Sequence, residues 1–560
     1  MSFLNRRWSF AFMSIVAAGL TSLACSAPVP PSDSGGGAAA GSGPPKVNRV
    51  VLILNPSAIE SNDIRLTCCF DTLPIRPMFE ALIGYDAKTG KFIPQLADSW
   101  ALEPNGESFR FKLHKGVQFN RGFGEFTAKD AVHSFDDLVG AIPKAYSLAT
   151  WWKNTVKNIE VVNDYEVVYH LNPNSAFIEY ISEAGHMMPM RSKAQRDKEG
   201  DLGDNPPRPV AGTGAYDFVE RQIGSYVRYA KATDNHWRLK PDFPEIEFRW
   251  SKEASTRLAA LLAGEAHITT LPDDLLPQAE RSGMKIVKGQ VPGTRAWGTW
   301  LCCNRTQDGQ YYRDNTTPLL NLKVRQALNK AIDRDALQKA FFARGERMHI
   351  NQMHQTWPGW DAGWERRFTD LYGFDVEASK KLLAEAGYGP SNPLKTNIAV
   401  RPSVVIPNAP DVVEAIAAMW RKAGVEVEMI QTDVPQQTAE MNAFRWTNHM
   451  YIDASATHQV SAWPNRTSDL QRHPQRGGTA YFDAETNKIV AALERELDPA
   501  KQGALMKEVG ELMFTRFGSV PLFFIPVEAV VNPQFVSEWT FPGPSFGTWS
   551  HLENIRAVRQ

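Results

Sequence analysis

The residues able to do chemistry are few and scattered. Besides Cys25, the chain has four cysteines in two adjacent pairs, Cys68-Cys69 and Cys302-Cys303. Thiols either ligate a metal or oxidise to a bridge. Zinc sites space their cysteines by two to four residues, so a four-thiol metal site is the weaker alternative to a disulfide between the pairs. Neighbours in an extended segment point to opposite faces, leaving one cysteine of each pair to meet the other pair. Such a bridge closes a loop of more than two hundred residues, worth about 4–5 kcal/mol from chain entropy, less any strain. The stretch "GPSFG" (543–547) has the G-x-S-x-G spacing of a serine nucleophile, which needs a strand-to-helix turn, then an acid, then a histidine. After Ser545 comes only His551, with no Asp or Glu between them, in a Pro/Gly-rich tail. The match is one of spacing alone. His349 and His354 are five apart, His449 and His458 nine apart. Neither interval stacks two ligands on adjacent helical turns, as H-E-x-x-H does. The expectation is a non-enzyme with no cofactor and no metal centre.

Cys25 has a different setting. Arg6 and Arg7 supply a basic start, Trp8 to Ala24 carry no charge, and small or apolar residues lead into the cysteine. That is the layout of a secretory signal over 1–24; the apolar run is too short and too interrupted for a spanning helix. A cysteine after Leu23-Ala24 resembles the lipobox of bacterial lipoproteins, with Ser22 where a lipobox has Leu. Lipidation of Cys25 is expected, with simple signal cleavage as the alternative. Residues 25–45 hold no aromatic residue and are rich in Gly, Ala, Ser and Pro, the composition of a flexible tether. A tether behind a lipidated cysteine suits a body that reaches out from a membrane.

The body that follows is too long for one core and implies two or more lobes. With 61 basic and 62 acidic residues, net charge −1, the chain lacks the basic excess of a nucleic-acid binder. Its sixteen tryptophans suit cores, but also pockets that grip ligands of mixed polarity.

Local patterns place the elements. "VNRVVLILNP" (47–56) reads as a buried strand. The Asn105-Gly106 turn precedes alternating "SFRFKL", a hairpin strand with Phe109, Phe111 and Leu113 on one face. "FTAKDAVHSFDDLVGA" (126–141) starts a helix with Thr127 and Asp130 in a capping-box arrangement, and "VNDYEVVYHL" (162–171) is a further strand. "LKVRQALNKAIDRDALQKAFF" (322–342) reads as one helix. "DVEASKKLLAEAGY" (375–388) runs from a capping Asp375 to a stop at Gly387. "DVVEAIAAMWRKAGVEVEMIQ" (411–431) is a helix, a glycine break and a strand, a unit of an open α/β sheet.

In this order, "PQLADSWALEPNGESFRFKLHKGVQF", "FTAKDAVHSF", "VAGTGAY", "NLKVRQALNKAIDRDAL" and "DVEASKKLLAEAGY" closely resemble the motifs of the family 5 extracellular solute-binding proteins. Those are the peptide, nickel and oligosaccharide receptors of ABC importers, and the resemblance covers about 50–555. It implies an α/β, two-lobed type II periplasmic-binding-protein fold with an extra subdomain in lobe one and a two-segment hinge. By analogy lobe one spans 46–300 with the extra subdomain at 80–205, lobe two spans 301–520, and 521–560 returns to lobe one. The hinge is expected near "TWLCCNRT" (299–306) and "SVPLFFIPVE" (519–528). A solute, most readily a peptide, would be enclosed as the lobes close and then delivered to the permease subunits. The expected protein is a monomer outside the cytoplasm that meets the membrane only through its lipid.

The resemblance also suggests where ligand is held. Peptide-binding members grip the ligand's amino group with an aspartate in a segment that contains a Trp, then Asp-Tyr and Asp-Pro. The corresponding stretch here is "FRWTNHMYIDASATHQVSAWPN" (444–465), which keeps Trp446 and Asp453 but lacks both pairs. Asp453 is the candidate partner of a ligand ammonium, against the alternative of a turn-capping aspartate. Trp297, Trp300 and Asn304 beside the first crossing, with Tyr451 and Trp463, complete the candidate ligand set, against the alternative that each Trp serves a core. The departure from the peptide pattern keeps sugar, opine and metal-chelate ligands open. So does a receptor that docks on a membrane sensor without transport.

Overall fold

Val50 to Leu54 contain no polar residue, and the strand they build, Arg49–Leu54, is buried on both faces. Such a strand belongs inside a parallel array. It lies at the centre of a seven-stranded sheet, parallel to Glu245–Trp250 on one side and Ile268–Thr269 on the other. The computed structural model describes residues 43–560 apart from several stretches, the longer being 141–148, 184–187, 202–207, 290–293, 402–405, 441–444, 456–483 and 542–550. Cys25 and its signal, Cys68, Cys303, His458, Trp463 and the 543–547 motif lie outside the described residues, and Cys69, Cys302 and Asn304 are described by backbone alone.

The segment inserted after this first strand forms its own four-stranded antiparallel sheet, Ala97–Leu102, Ser108–Leu113, Glu166–Leu171 and Val156–Asn163 in spatial order. Phe109, Phe111 and Leu113 are buried together as their alternation requires. Phe177 packs on Phe109 and Phe111, with ring centres 5.6 Å and 6.4 Å away; in helix Ala128–Gly140, Asp130 accepts from both the Thr127 N–H at 2.9 Å and its hydroxyl at 3.0 Å. A buried ionic cluster ties this subdomain down. Arg65 donates to Asp63 at 2.6 Å, to Asp137 at 3.1 Å and to Asp201 at 2.5 Å. Arg191 also contacts Asp137. In "VAGTGAY", Gly212 and Gly214 lie against the Met78 and Pro77 carbonyls, where a Cβ has no room.

A second, six-stranded sheet has the order Glu346–Arg347, Val520–Ile525, Thr294–Cys302, Asn448–Ser455, Lys395–Val400 and Glu426–Gln431. Helix Ala409–Lys422 and the Gly424 turn (φ +88°) join the last two strands, which pair in parallel. The 322–342 segment is two helices, Leu322–Lys330 and Arg334–Phe341, instead of the single helix expected. The Asp333 carboxylate accepts from the Ala336 N–H at 2.9 Å and so starts a new helix in mid-pattern.

The hinge position also needs correction. Strand Thr294–Cys302 lies wholly in the six-stranded sheet, so 299–306 is no crossing. The chain passes between the sheets before Thr294, and returns through Pro526-Val527, between Val520–Ile525 and Glu528–Val531. Among the described residues no helix is long and apolar enough to cross a membrane.

Candidate ligand-binding site

Strand alternation divides the six-stranded sheet into two unlike faces. Ala296, Trp300, Ile398, Val400, Met450 and Ile452 share one apolar core with Val412, Ile416 and Trp420 of helix Ala409–Lys422. The opposite face carries Arg295, Trp297 and Thr299 on the central strand and His449, Tyr451 and Asp453 on its neighbour, with Trp297 directly across from Asp453 and Thr299 across from Tyr451. Polar side chains dominate a surface that is nonetheless mostly withdrawn from water: Arg295, Trp297, Thr299, His449 and Tyr451 are all buried.

Asp453 is the centre of this face. The Tyr451 hydroxyl donates to its Oδ2 at 3.2 Å, and Arg401 Nη2 donates to its Oδ1 at 3.5 Å. Arg401 was not foreseen from the sequence. It follows the strand Lys395–Val400, whose parallel register sets Ala399 level with Tyr451, and so brings Arg401 level with Asp453. Its guanidinium also lies 5.2 Å from the Tyr451 ring centre, a cation–π contact. The Arg401 Nε is buried and has no hydrogen-bond partner among the described residues, and neither has the indole N–H of Trp297. A buried donor left unpaired costs stability, so both are groups that a ligand could satisfy.

The surroundings keep this patch dry. Burial, then the nearby Asp453 charge, raises the Tyr451 hydroxyl well above the usual range for a phenol, so Tyr451 acts as a donor and not as a base. Trp446 stacks on His449 with ring centres 4.8 Å apart. Burial lowers His449 to about 4, against a smaller opposing effect of Glu440, and the neutral ring accepts from Asn397 Nδ2 at 3.2 Å.

The structure therefore brings Trp297, Trp446, Tyr451 and Asp453 together on one face and adds Arg401. Trp300 is on the other face. It is fully buried in the helix-side core, stacked on Trp420, and its N–H donates to the Phe517 carbonyl at 3.0 Å. Its placement in the ligand set is corrected: one residue's difference in strand parity decides core against site. Asn304 starts the hairpin Asn304–Gln307 with Gln310–Arg313. Among the described residues no group of three or more His, Cys, Asp or Glu is placed to hold a metal ion.

Comparison with known proteins agrees with this architecture. The sequence profile of the Bacterial extracellular solute-binding proteins, family 5 Middle, matches residues 91–470. The chain is 28% identical to the Dipeptide-binding protein of Escherichia coli (strain K12) over 63% of its own length and 66% of that protein's. It is 27% identical to Heme-binding protein A of Haemophilus influenzae, over 63% and 64% of the two lengths. The fold superposes on HbpA2 from Haemophilus parasuis with a TM-score of 0.76, covering 91% of this chain and 100% of that one at 21% identity. The likeness shows the fold, a two-lobed type II periplasmic-binding-protein architecture.

Proposed function

Because this chain belongs to family 5 of the bacterial extracellular solute-binding proteins, we propose that it captures a peptide or peptide-like zwitterion between its lobes and delivers it to an ABC-type import permease. The two sheets with their helices are the lobes, and the passages before Thr294 and through Pro526-Val527 are the hinge. The observation that carries the ligand class is the Arg401–Asp453 pair. Their side chains are 19% and 16% exposed and 3.5 Å apart. A zwitterion offers an ammonium to Asp453 and a carboxylate to Arg401, replacing one long ion pair with two charge-assisted hydrogen-bonded ones at no change in net charge. Trp297 and Trp446 would contribute the aromatic walls for side chains of any sequence. Closure follows when ligand binds the closed arrangement more tightly than the open one.

The reading makes the protein a binder and not a catalyst. Cys25 would carry the lipid, with 26–45 as tether, and the body would work as a monomer outside the cytoplasm. The Cys25→Ala chain would then leave the membrane fraction.

The ligand class is tested by thermal shift of the full chain with an unmodified dipeptide, its N-acetylated form and its C-terminal amide. A ligand at a hundredfold excess over Kd stabilises by about 2.7 kcal/mol. The unmodified dipeptide should raise Tm, and each blocked form should lose most of the shift. Equal shifts for all three, or a shift with heme or a metal chelate alone, would overturn it.

A further inference from the structure

The two lobes meet at a place remote in sequence from both covalent passages. Near the hinge, Lys288 pairs with Glu346 at 3.3 Å and Arg344 with Glu528 at 2.8 Å. These contacts flank the pivot. The other contact begins with helix Ala484–Arg495, which buries Ile489, Val490 and Leu493 against Trp364, Phe368 and Phe514 in a core of lobe two. Just beyond the helix the allegiance changes. Leu497, 5% exposed, sits in the apolar core of lobe one. Beside it the Ser175 N–H, from the extra subdomain, donates to the Glu494 carbonyl at 2.8 Å. On the lobe-one side the next residues, Ala176 and Phe177, are fully buried.

The loop that presents Leu497 is held from its own side. Gln502 Nε2 donates to the Glu496 carbonyl at 2.6 Å, and the Asp498 N–H to Glu496 Oε1 at 2.8 Å. Asp498 then caps helix Pro499–Thr515, accepting from the Ala500 and Lys501 N–H groups. Leu497 is thus a preformed projection of lobe two. Seating it in lobe one costs little ordering entropy, so most of its burial acts to hold the lobes together.

We propose that residues 494–498 form an interlobe latch, in which Leu497 seated in lobe one and the Ser175–Glu494 backbone hydrogen bond must both release before the lobes part. A rotation about the hinge can preserve the contacts beside the pivot. It cannot preserve one made between the extra subdomain and the far end of a lobe-two helix. The latch would set the balance between open and closed states, and with it ligand affinity, without touching ligand.

The inference rests on the reading of the two units as lobes that open, and its test uses no ligand, so a wrong ligand class and a wrong latch give different results. Hydrogen exchange read by mass spectrometry on the full chain reports the Ser175 amide directly. In the native chain it should be protected and, in denaturant below the unfolding transition, exchange through an opening that leaves Arg49–Leu54 protected. Leu497→Ser should speed its exchange about tenfold or more, with Arg49–Leu54 unchanged, and Leu497→Met should stay close to native. An unprotected Ser175 amide in the native chain, or the same protection in Leu497→Ser, would overturn the latch. If Leu497→Ser fails to fold, protection is lost everywhere, and the native-chain measurement decides alone.

Discussion

Arg401 donates to Asp453 at 3.5 Å from the end of one parallel strand to the next, 52 residues away in sequence. The contact is long for a charge-assisted hydrogen bond, and the Tyr451 hydroxyl shares the carboxylate at 3.2 Å. A pair with this little water and this much slack is easier to reorganise than a tight bidentate one. Each partner can turn to a ligand group of opposite charge without leaving the other uncompensated.

Trp300 lies on strand Thr294–Cys302 and faces the helix-side core, whereas Trp446, just before the neighbouring strand Asn448–Ser455, packs with Tyr451 on the other face. Trp300→Phe removes the donor to the Phe517 carbonyl and leaves a void beside Trp420. The expected cost is about 1–3 kcal/mol of stability with ligand Kd unchanged. Urea unfolding and a binding isotherm on the same variant check both halves. A weakened Kd with unchanged stability would move Trp300 back to the site.

What the sequence made legible was local. Asp375 accepts from the Ala378 N–H at 2.8 Å and Gly387 takes φ +92°, as a cap and a stop should. The alternation in "SFRFKL" placed Phe109, Phe111 and Leu113 in the core for the same reason. Asp333 was legible too, but its capping role competes with an uninterrupted apolar period. Arg401 gave no local signal: in "AVRPS" it is one arginine before a proline, and only the register of parallel strands brings it to Asp453. Parity along Thr294–Cys302 would have separated Trp300 from Trp297, had the helix-covered face been known. The buried Arg65 cluster was equally invisible, because its carboxylates come from segments far apart in sequence.

Gly212 is held where the motif "VAGTGAY" passes under the Met78 carbonyl, with a Phe79 ring carbon 2.7 Å from where a Cβ would stand. Gly212→Ala should therefore force backbone apart and cost about 2–3 kcal/mol or more. Thermal unfolding checks this, and a native Tm would show that the loop yields without cost.

Acid should loosen the subdomain through Asp201. Hydrogen bonding from Arg65, helped by Arg196, lowers its carboxyl to about 2, below the value of about 3.9 for a free aspartate. The charged form is favoured in the folded chain. Its contribution is complete above about pH 4, falls as the pH drops towards 2, and is gone below that. Urea midpoints measured across this window should fall more steeply for the native chain than for Asp201→Asn. Equal slopes would place the acid sensitivity elsewhere. Arg65→Met should cost about 3–5 kcal/mol at neutral pH, since it leaves Asp63 buried without its closest cation, while Asp137 keeps Arg191.

The central claim, a site that grips both ends of a zwitterion, is tested most directly by native mass spectrometry of the purified full chain before and after unfolding and refolding, alongside Asp453→Asn. The account expects labile adducts spread over peptide masses on the native chain, lost on refolding and absent from Asp453→Asn. A single discrete non-peptide mass, retained equally by Asp453→Asn, would contradict it.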